Sequence, residues 1–344
     1  MSASPYFTIT GKLHEGTNTV LHRAYRNADH APVVVKVPKG ERPSQRELAK
    51  LRHEYNILSS LQVPGVVKAY AIEKHNSGLA LVLEDLPGET IAQRVSARSL
   101  DISSVLTIMI RLAEIIDGIH KQNCIHKDIK SENILVRADN DVYLIDFGIA
   151  TQFSQETLRA LSPDTLEGTL AYMSPEQTGR MSRVIDYRTD FYSLGVTFYE
   201  MLVGELPFLT TDLIELVHSH IARQPVPPHV KVQAIPEPIS DIIMKLMAKT
   251  PEERYQSGWG LKVDLEECRR QWESTGQIAK FPLGQKDYSA KLCMPQRLYG
   301  RAAERIVLTA AIGRVAQSGA ETIFITGPSG IGKTALLQAV ESAS

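Results

Sequence analysis

The sequence predicts an α+β protein of two lobes followed by part of a separate α/β module, and three patterns support this fold class. Up to residue 84, short β-branched and apolar runs alternate with turn residues, and only 44–61 has a helical period. After Gly88 the apolar positions recur mainly with helical spacing. A new pattern begins at Leu298, with a helix, a strand, a glycine-rich turn and the start of another helix.

The first lobe, about residues 1–86, is predicted to be a small sheet with one helix. Leucines and a tyrosine recur every three or four positions along 44–61, which is typical of a helix that packs on a sheet. The strands and turns follow in this order: turns at 17–18 and 27–30, a strand at 31–37, and strand-like runs at 66–73 and 79–84.

The second lobe, about residues 87–273, is predicted to be mainly helical. Asp101 precedes a long run of helically spaced apolar residues that ends at Ile119, so we expect it to cap that helix. A polar segment with little periodicity runs from about 149 to 176. The remaining predicted elements are strands at 133–136 and 142–145, helices near 190–203, 211–222, 238–248 and 258–273, and a proline-rich loop at 225–238.

Charge and cysteine content exclude several classes of protein. The 344 residues carry a formal net charge of −1, which gives no basic field for nucleic acid or an anionic membrane. The three cysteines show no CxxC spacing, so we expect neither a disulfide framework nor a structural zinc site. No basic head followed by an apolar run opens the chain, and no stretch approaches eighteen apolar residues. We therefore expect a cytoplasmic protein without a membrane span.

The stretch that carries chemistry is His-Lys-Asp-Ile-Lys-Ser-Glu-Asn at residues 126–133. Phosphoryl transfer needs a carboxylate to orient the attacking hydroxyl, a lysine on the phosphates and oxygen ligands for magnesium. Asp128 is the candidate base, Lys130 could reach the transferred phosphate, and Asn133 is a candidate magnesium ligand. Asp146, followed by a phenylalanine and a glycine, comes eighteen residues after Asp128 at the end of an apolar run, which suits a second metal ligand.

These motifs, in this order, make the chain resemble the eukaryotic-type (Hanks-type) protein kinase family over roughly residues 7–273. The resemblance implies the two-lobed protein kinase fold, with ATP and Mg²⁺ as cofactors. Lys36, after three valines, would pair the ATP phosphates, and Glu54 on the following helix would form an ion pair with Lys36. Asn133 and Asp146 would hold magnesium. The hinge residues expected to line the adenine site are Leu83, as gatekeeper, Glu84 and Leu86.

The resemblance extends to the second lobe and to the acceptor. Glu176 would close the activation segment, the polar stretch at about 149–176, and pair with Arg254. Asp190 would brace the catalytic loop at 126–133. Lys130 and Thr169 stand where Ser/Thr kinases, unlike tyrosine kinases, carry these residue types. The resemblance therefore implies a protein substrate phosphorylated on serine or threonine.

The glycine-rich loop departs from the family pattern. With Val20 in the place of the valine that covers the nucleotide, Leu13, Glu15 and Asn18 occupy the three glycine positions, and only Gly16 lies inside the loop. Leu13 and Val20 would line the nucleotide. Because glycines let the backbone approach the phosphates, this loop favours an alternative: a nucleotide-sensing pseudokinase or scaffold module.

Lys127 is a second departure, because many kinases carry an arginine there that clamps a phosphorylated residue. A lysine clamps less well, so we expect activation to depend weakly on phosphorylation of the segment. The candidate phosphorylation sites are Thr157, Ser162 and Thr165.

Residues 327–334 read Gly-Pro-Ser-Gly-Ile-Gly-Lys-Thr, the Walker A pattern, between a predicted strand at 322–326 and a helix. Gly327, Gly332, Lys333 and Thr334 would bind phosphates and magnesium. This segment resembles the start of an AAA-type ATPase, which leaves nucleotide hydrolysis through Lys333 as a third candidate function.

The predicted domains are a kinase domain at 1–273, a linker at 274–296 and the beginning of an ATPase module at 297–344. This order resembles large bacterial signalling proteins that continue into sensor and histidine-kinase modules. We therefore expect further domains in a longer native chain.

Overall fold

The computed structural model describes residues 5–40, 42–76, 78–98, 100–152, 168–180, 184–288 and 301–327, together with Lys333 and Leu336. Five antiparallel strands form the sheet of the first lobe, in the order β1-β2-β3-β5-β4. Their bounds are Phe7–Glu15 for β1, Thr19–Arg26 for β2, Pro32–Pro38 for β3, Ala69–His75 for β4 and Gly78–Glu84 for β5. The predicted strands and the turns between them are confirmed.

The two faces of this sheet contact different parts of the protein. Val33 and Val35 point to a small outer cluster, whereas Val34 and Leu83 join the main core that continues into the second lobe. Side chains alternate along a strand, so Lys36 shares the inner face with Val34. The three-valine run therefore directs the lysine towards the cleft between the lobes.

Helix α1, Gln45–Ser60, packs on this sheet and begins at a capping box. Ser44 accepts a hydrogen bond from the Glu47 backbone, and the Glu47 carboxylate accepts one from the Ser44 N–H at 2.7 Å. Leu51 and Leu58 bury the same side of the helix as Glu54. The apolar stripe that drives packing thus also carries a carboxylate into the interior.

The second lobe is built from helices around one apolar core. Asp101 caps α3 by accepting a hydrogen bond from the Ser104 N–H at 2.7 Å, as the sequence predicts. The helices are α2 Ile91–Ser96, α3 Ile102–Lys121, α4 Arg188–Val203, α5 Leu213–Ala222, α6 Pro228–Lys231, α7 Glu237–Leu246 and α8 Gly258–Thr275. The predicted long helices are confirmed, and a short helix, α6, lies inside the predicted proline-rich loop.

Short strands frame the segment that carries the chemical motif. They are β6 Glu89–Thr90, β7 Cys124–Ile125, β8 Ile134–Val136, β9 Val142–Leu144 and β10 Thr151–Gln152. β6, β8 and β9 form one small sheet, and β10 pairs with β7. Residues 126–133 therefore leave one strand pair and enter another, which fixes both ends of the loop.

Residues 276–288, here called the C-terminal strap, lie within the predicted linker at 274–296. They pack on the second lobe, since Ile278, Phe281 and Leu283 contact its main core. Ordered packing thus continues beyond residue 273, where the sequence predicts the domain to end.

The C-terminal part contains helix α9, Ala302–Ser318, which matches the predicted helix at 301–317. The predicted strand at 322–326 is wrong, because residues 321–327 form neither helix nor strand. A strand requires a neighbour for its backbone hydrogen bonds, and none of the described residues of this part supplies one. Across the whole described chain, no helix combines the length and apolar character needed to cross a membrane.

Candidate active site

Lys36 lies at the centre of a cluster of charges between the lobes. Its Nζ is 2.9 and 2.8 Å from Glu54 Oε1 and Oε2, and 2.9 Å from Asp146 Oδ1. The side chains of Lys36 and Glu54 are 9% and 2% exposed. A strand of the sheet, helix α1 and the end of the β9 segment thus meet at one ammonium group.

The charge states of this cluster follow from its contacts. Burial opposes the charge on Lys36, but the carboxylates of Glu54 and Asp146 outweigh it and raise the pKa of Lys36. The Lys36 ammonium lowers the pKa of Asp146 to about 2. Burial raises the pKa of Glu54, and Lys36 counteracts that shift. Asp146 is therefore an ionised carboxylate at neutral pH.

Asp128 lies at the centre of a second network, in the catalytic loop. Its Oδ1 accepts hydrogen bonds from Thr169 N and Thr169 Oγ1, both at 3.0 Å. Its Oδ2 is 3.0 Å from Lys130 Nζ and 3.1 Å from Asn133 Nδ2. Lys130 Nζ also donates to Thr169 Oγ1 at 2.7 Å. The structure therefore brings together Asp128 and Lys130, predicted to be catalytic, Thr169, predicted to indicate the acceptor type, and Asn133, predicted to bind magnesium.

A buried aspartate on α4 binds the backbone of the catalytic loop. Asp190 accepts hydrogen bonds from the His126 and Lys127 backbone at 2.9 and 2.8 Å, and its Oδ2 is 2.8 Å from His120 Nε2. These bonds stabilise Lys127 at φ 70°, a conformation that L residues rarely adopt. The loop is thereby fixed independently of any ligand.

Both ring nitrogens of His126 bond to the backbone. Its Nδ1 accepts a hydrogen bond from Asp128 N at 3.3 Å, so its Nε2 carries the proton and donates to Ile145 O at 3.2 Å. The ring packs edge-on against Phe147 with centroids 4.6 Å apart. His126 thus joins the catalytic loop to the Asp146 segment.

The donor set fits a magnesium ion. The Asn133 amide nitrogen donates to the Asp128 carbonyl at 2.9 Å and to its side chain, which leaves the amide oxygen as the ligand atom. Lys36 and the Gly148 N–H both bind Asp146 Oδ1, which leaves Oδ2 for a cation. Carboxylate and amide oxygens are the ligands that magnesium prefers.

The strand register corrects the sequence alignment at the nucleotide loop. Val20 is paired with Val37 on the outer side of the sheet, whereas Leu21 is paired with Lys36 and packs against the main core. A shift of one residue moves a side chain to the opposite face, so Leu21, and not Val20, faces the cleft. Gly16 then takes the central glycine position of the family pattern.

The tip of the loop turns without residues in the left-handed region. Neither Gly16 nor Asn18 has a positive φ, and the turn is closed by a 2.9 Å bond from Gly16 N to Thr19 O. A Cβ at Gly16 would lie 3.5 Å from that oxygen, an ordinary contact. The conformation of the loop therefore does not itself require a glycine at position 16.

Glu15 is neutralised locally rather than directed at a phosphate. It forms ion pairs with Lys12 at 2.8 Å and Lys39 at 2.7 Å, and hydrogen bonds from the two lysines lower the pKa of its carboxyl to about 2. Leu13, which the alignment places at the nucleotide, is 44% exposed and lies where the β1–β2 register shifts. This loop therefore presents less unfavourable charge to a nucleotide than its sequence indicates.

The hinge follows β5 as the sequence predicts. Leu83 is paired with Val34 at the back of the cleft, and Leu86 packs against the main core. The Glu84 N–H is bonded to Lys68 O at 2.9 Å, so contact of Glu84 with an adenine would use its carbonyl.

The far end of the activation segment is anchored by a buried ion pair. Glu176 accepts two hydrogen bonds from Arg254, at 2.6 and 2.8 Å, and both side chains are at most 1% exposed. Burial alone would raise the pKa of Glu176, but Arg254 outweighs it and lowers the pKa. The candidate phosphorylation sites Thr157, Ser162 and Thr165 lie outside the described residues.

Sequence reasoning missed His53, the neighbour of Glu54 on α1. Its Nε2 lies 2.6 Å from the Ala150 carbonyl, immediately before β10. Since a carbonyl only accepts, the histidine donates. The signal that could have found it is its position beside Glu54 on the helix that borders the cleft.

The C-terminal Walker A segment is described only in part. Lys333 Nζ donates to Gly327 O at 2.8 Å, on the exposed side of this part. Gly332 and Thr334 fall outside the range that the structure describes. A phosphate site at 327–334 therefore stays a prediction.

A two-lobed fold whose cleft joins a buried lysine–carboxylate pair to a fixed aspartate loop defines a phosphotransferase of the protein kinase class. The Protein kinase domain family matches residues 7–262, which places this chain in the protein kinase family. The AAA ATPase domain family matches residues 297–344.

Several similar proteins are longer than this chain. The chain is 31% identical over 325 residues to Hybrid signal transduction histidine kinase G of Dictyostelium discoideum, covering 69% of this chain and 10% of that protein. It is 31% identical over 258 residues to Probable serine/threonine-protein kinase CPE1738 of Clostridium perfringens, covering 74% of this chain and 37% of that protein. It is 29% identical over 242 residues to Serine/threonine-protein kinase PknB of Mycobacterium leprae, covering 69% of this chain and 38% of that protein. The chain thus spans well under half of these relatives.

Proposed function

We propose that this chain is an ATP- and Mg²⁺-dependent protein kinase that transfers the γ-phosphoryl group to serine or threonine hydroxyls. The observation that carries the proposal is the joint presence of the Lys36–Glu54–Asp146 cluster and the Asp128–Lys130–Thr169 network. Phosphoryl transfer depends almost entirely on such positioning and electrostatic stabilisation.

In this mechanism Lys36, held by Glu54, orients the α- and β-phosphates. The Asp128 carboxylate accepts a hydrogen bond from the substrate hydroxyl and aligns it with the phosphorus atom, while Lys130 compensates charge on the transferred group. Asn133 and Asp146 would hold magnesium, which supplies neutralisation of phosphate charge.

The preference for serine and threonine is supported by the contact between Lys130 and Thr169. Both groups contact Asp128, so a lysine and a hydroxyl border the carboxylate that would orient the acceptor. Two of the relatives are named as serine/threonine-protein kinases, which agrees with this proposal.

The experiment is phosphorylation of a generic protein substrate with labelled ATP and magnesium, comparing wild type with Asp128→Asn and Asp146→Ala. We expect incorporation on serine and threonine by wild type and a loss on the order of 10³-fold in both variants. Equal signal in all three proteins, or none from a wild-type protein that still binds ATP, would overturn the kinase proposal and favour the alternative of a nucleotide-sensing scaffold.

We also propose that the chain acts in signal transduction as part of a longer protein. Support comes from the match to an ATPase family after residue 297 and from the signalling name of a relative. In this arrangement the kinase domain, extended by the strap, precedes an AAA-type module, and nucleotide hydrolysis through Lys333 would belong to that module when complete.

A further inference from the structure

The C-terminal strap is fastened to the second lobe by polar bonds as well as by its apolar side chains. Near its start, Ala279 N donates to Gln271 Oε1 at 2.8 Å. Further along, Gly284 N donates to Asp264 Oδ2 at 2.7 Å, and the same carboxylate oxygen accepts the Tyr255 hydroxyl at 2.6 Å. Asp264 and Tyr255 are buried, so the strap completes a polar network of the lobe interior.

The end of the strap makes the closest approach. Asp287 accepts hydrogen bonds from Gln256 N and Ser257 Oγ, both at 2.7 Å, at the start of α8. A Cβ at Gly260 would lie 2.6 Å from the Asp287 Cα, a distance that real Cβ atoms do not show. The glycine at 260 thus allows the strap backbone to lie directly on the first turn of the helix.

Gln256 connects this attachment to the activation segment. Its side-chain nitrogen donates to the backbone carbonyls of Pro251, Glu252 and Arg254, at 3.1, 3.3 and 2.8 Å. That loop presents the Arg254 guanidinium, which binds Glu176. Three residues, Gln256, Arg254 and Glu176, therefore link Asp287 to the end of the segment that receives a protein substrate.

Arg188 braces the same connection from α4. Its guanidinium donates to Gln256 Oε1 at 3.1 Å, and its backbone carbonyl accepts from Arg254 at 2.9 Å. Gln256 is consequently bonded through its backbone N–H to the strap and through its side chain to both arginine-bearing segments. The strap contact and the Glu176 anchor share one hydrogen-bonded unit.

We propose that the face of the second lobe formed by Gln256, Gly260 and Asp264 is an interaction surface whose partner is the C-terminal strap, and that Asp287 positions Glu176 for substrate binding. The occupant is this chain's own segment, observed on the surface. Because the chain continues from the strap towards residues 297–344, release of the strap by the following module would loosen the substrate side of the kinase and leave the ATP side intact. The kinetic part of this inference rests on the proposed kinase function.

The test compares Asp287→Ala with wild type in steady-state kinetics, varying protein substrate and ATP separately. Loss of both acceptor oxygens should raise KM for the protein substrate about tenfold, while KM for ATP changes less than twofold. Asp287→Asn keeps one acceptor oxygen, so its KM for the protein substrate should stay close to that of wild type. Lys280→Ala, on the same strap, is the matched control, because it removes only the exposed 2.6 Å pair with Glu237 of α7.

Hydrogen exchange of backbone amides separates this inference from the kinase proposal, since it needs no turnover. In Asp287→Ala we expect faster exchange at residues 170–178 and 254–260, and unchanged exchange at Lys36 and Glu54. If wild type is inactive but Asp287→Ala shows this exchange pattern, the kinase proposal is overturned and the proposal for the strap still holds. Unchanged exchange at 170–178, or equal increases in both KM values, would show that the strap packs on the second lobe without positioning Glu176.

Discussion

Two lysines of this chain are indicated for phosphate binding, and their surroundings differ. Lys36 is buried and contacts two carboxylates that come from different elements of the kinase domain. Lys333 donates to the carbonyl of Gly327, six residues earlier in its own segment. Both follow sequence motifs, and among the described residues Lys36 contacts two carboxylates that lie 18 and 110 positions away in the sequence.

The difference shows what a motif needs before it can act. A lysine alone is a flexible, strongly hydrated charge, and it becomes a defined ligand when buried carboxylates fix its position. Around Lys36 the sheet, α1 and the Asp146 segment supply these groups. The region around Lys333 has only a small described apolar cluster, formed by Leu308 and Leu336 with Ile325 packed against it.

The largest effect on phosphoryl transfer should come from replacing Lys36, and replacement of Lys333 is the comparison. Lys36→Met should reduce phosphoryl transfer on the order of 10³-fold, because it removes a preorganised cation from the phosphates. Lys333→Met should leave transfer unchanged. Labelled-phosphate incorporation measures both, and a comparable loss in Lys333→Met would break the distinction between the two sites.

The next effect concerns stability and compares a buried ion pair with an exposed one. Glu176→Gln leaves the Arg254 guanidinium uncompensated in the interior, so the free energy of unfolding should fall by about 3 kcal/mol. Glu304→Gln, which removes the exposed 2.8 Å contact with Arg301, should cause no measurable change. Urea denaturation followed by circular dichroism measures both variants.

Removal of one support from Lys36 should have a smaller effect than removal of the lysine. Glu54→Gln retains the shape of the side chain, and Asp146 still holds Lys36, so kcat/KM should fall roughly 30-fold. Glu47→Gln on the exposed first turn of α1 is the control for a change of charge on the same helix. A Glu54→Gln variant with wild-type kcat/KM would show that Asp146 alone positions Lys36.

The smallest effect distinguishes neighbouring residues of β2. Leu21→Ala removes an apolar side chain from the cleft face and should raise KM for ATP about fivefold, from the loss of roughly 1 kcal/mol of contact. Val20→Ala acts on the outer face and should change KM for ATP less than twofold. The opposite ranking in ATP titrations would restore the alignment that the sequence favours.

Much of the kinase domain could be predicted because its chemistry restricts residue types. Asp128, Asn133 and Asp146 stand at spacings that few other functions require, and the structure brings each to the cleft. The position of Val20 could not be settled in the same way, because Val20 and Leu21 are both apolar and a period of two does not tell which one faces inward.

The two other differences have a different physical origin. The strap packs without helix or strand periodicity, so its apolar residues look like those of a linker. The run at 322–326 has strand composition, but strand formation depends on a neighbouring strand that the sequence pattern alone does not supply. In both cases tertiary contacts, and not local preference, decide the outcome.

Gly260 has a consequence for reading related sequences. Since any side chain at this position collides with the Asp287 backbone, a homologue with alanine or a larger residue there cannot seat its tail in the same way. The residue type at one aligned column would then serve as a marker that divides kinases of this architecture into tethered and untethered groups. That marker can be read from genome sequences alone, before any of the proteins is made.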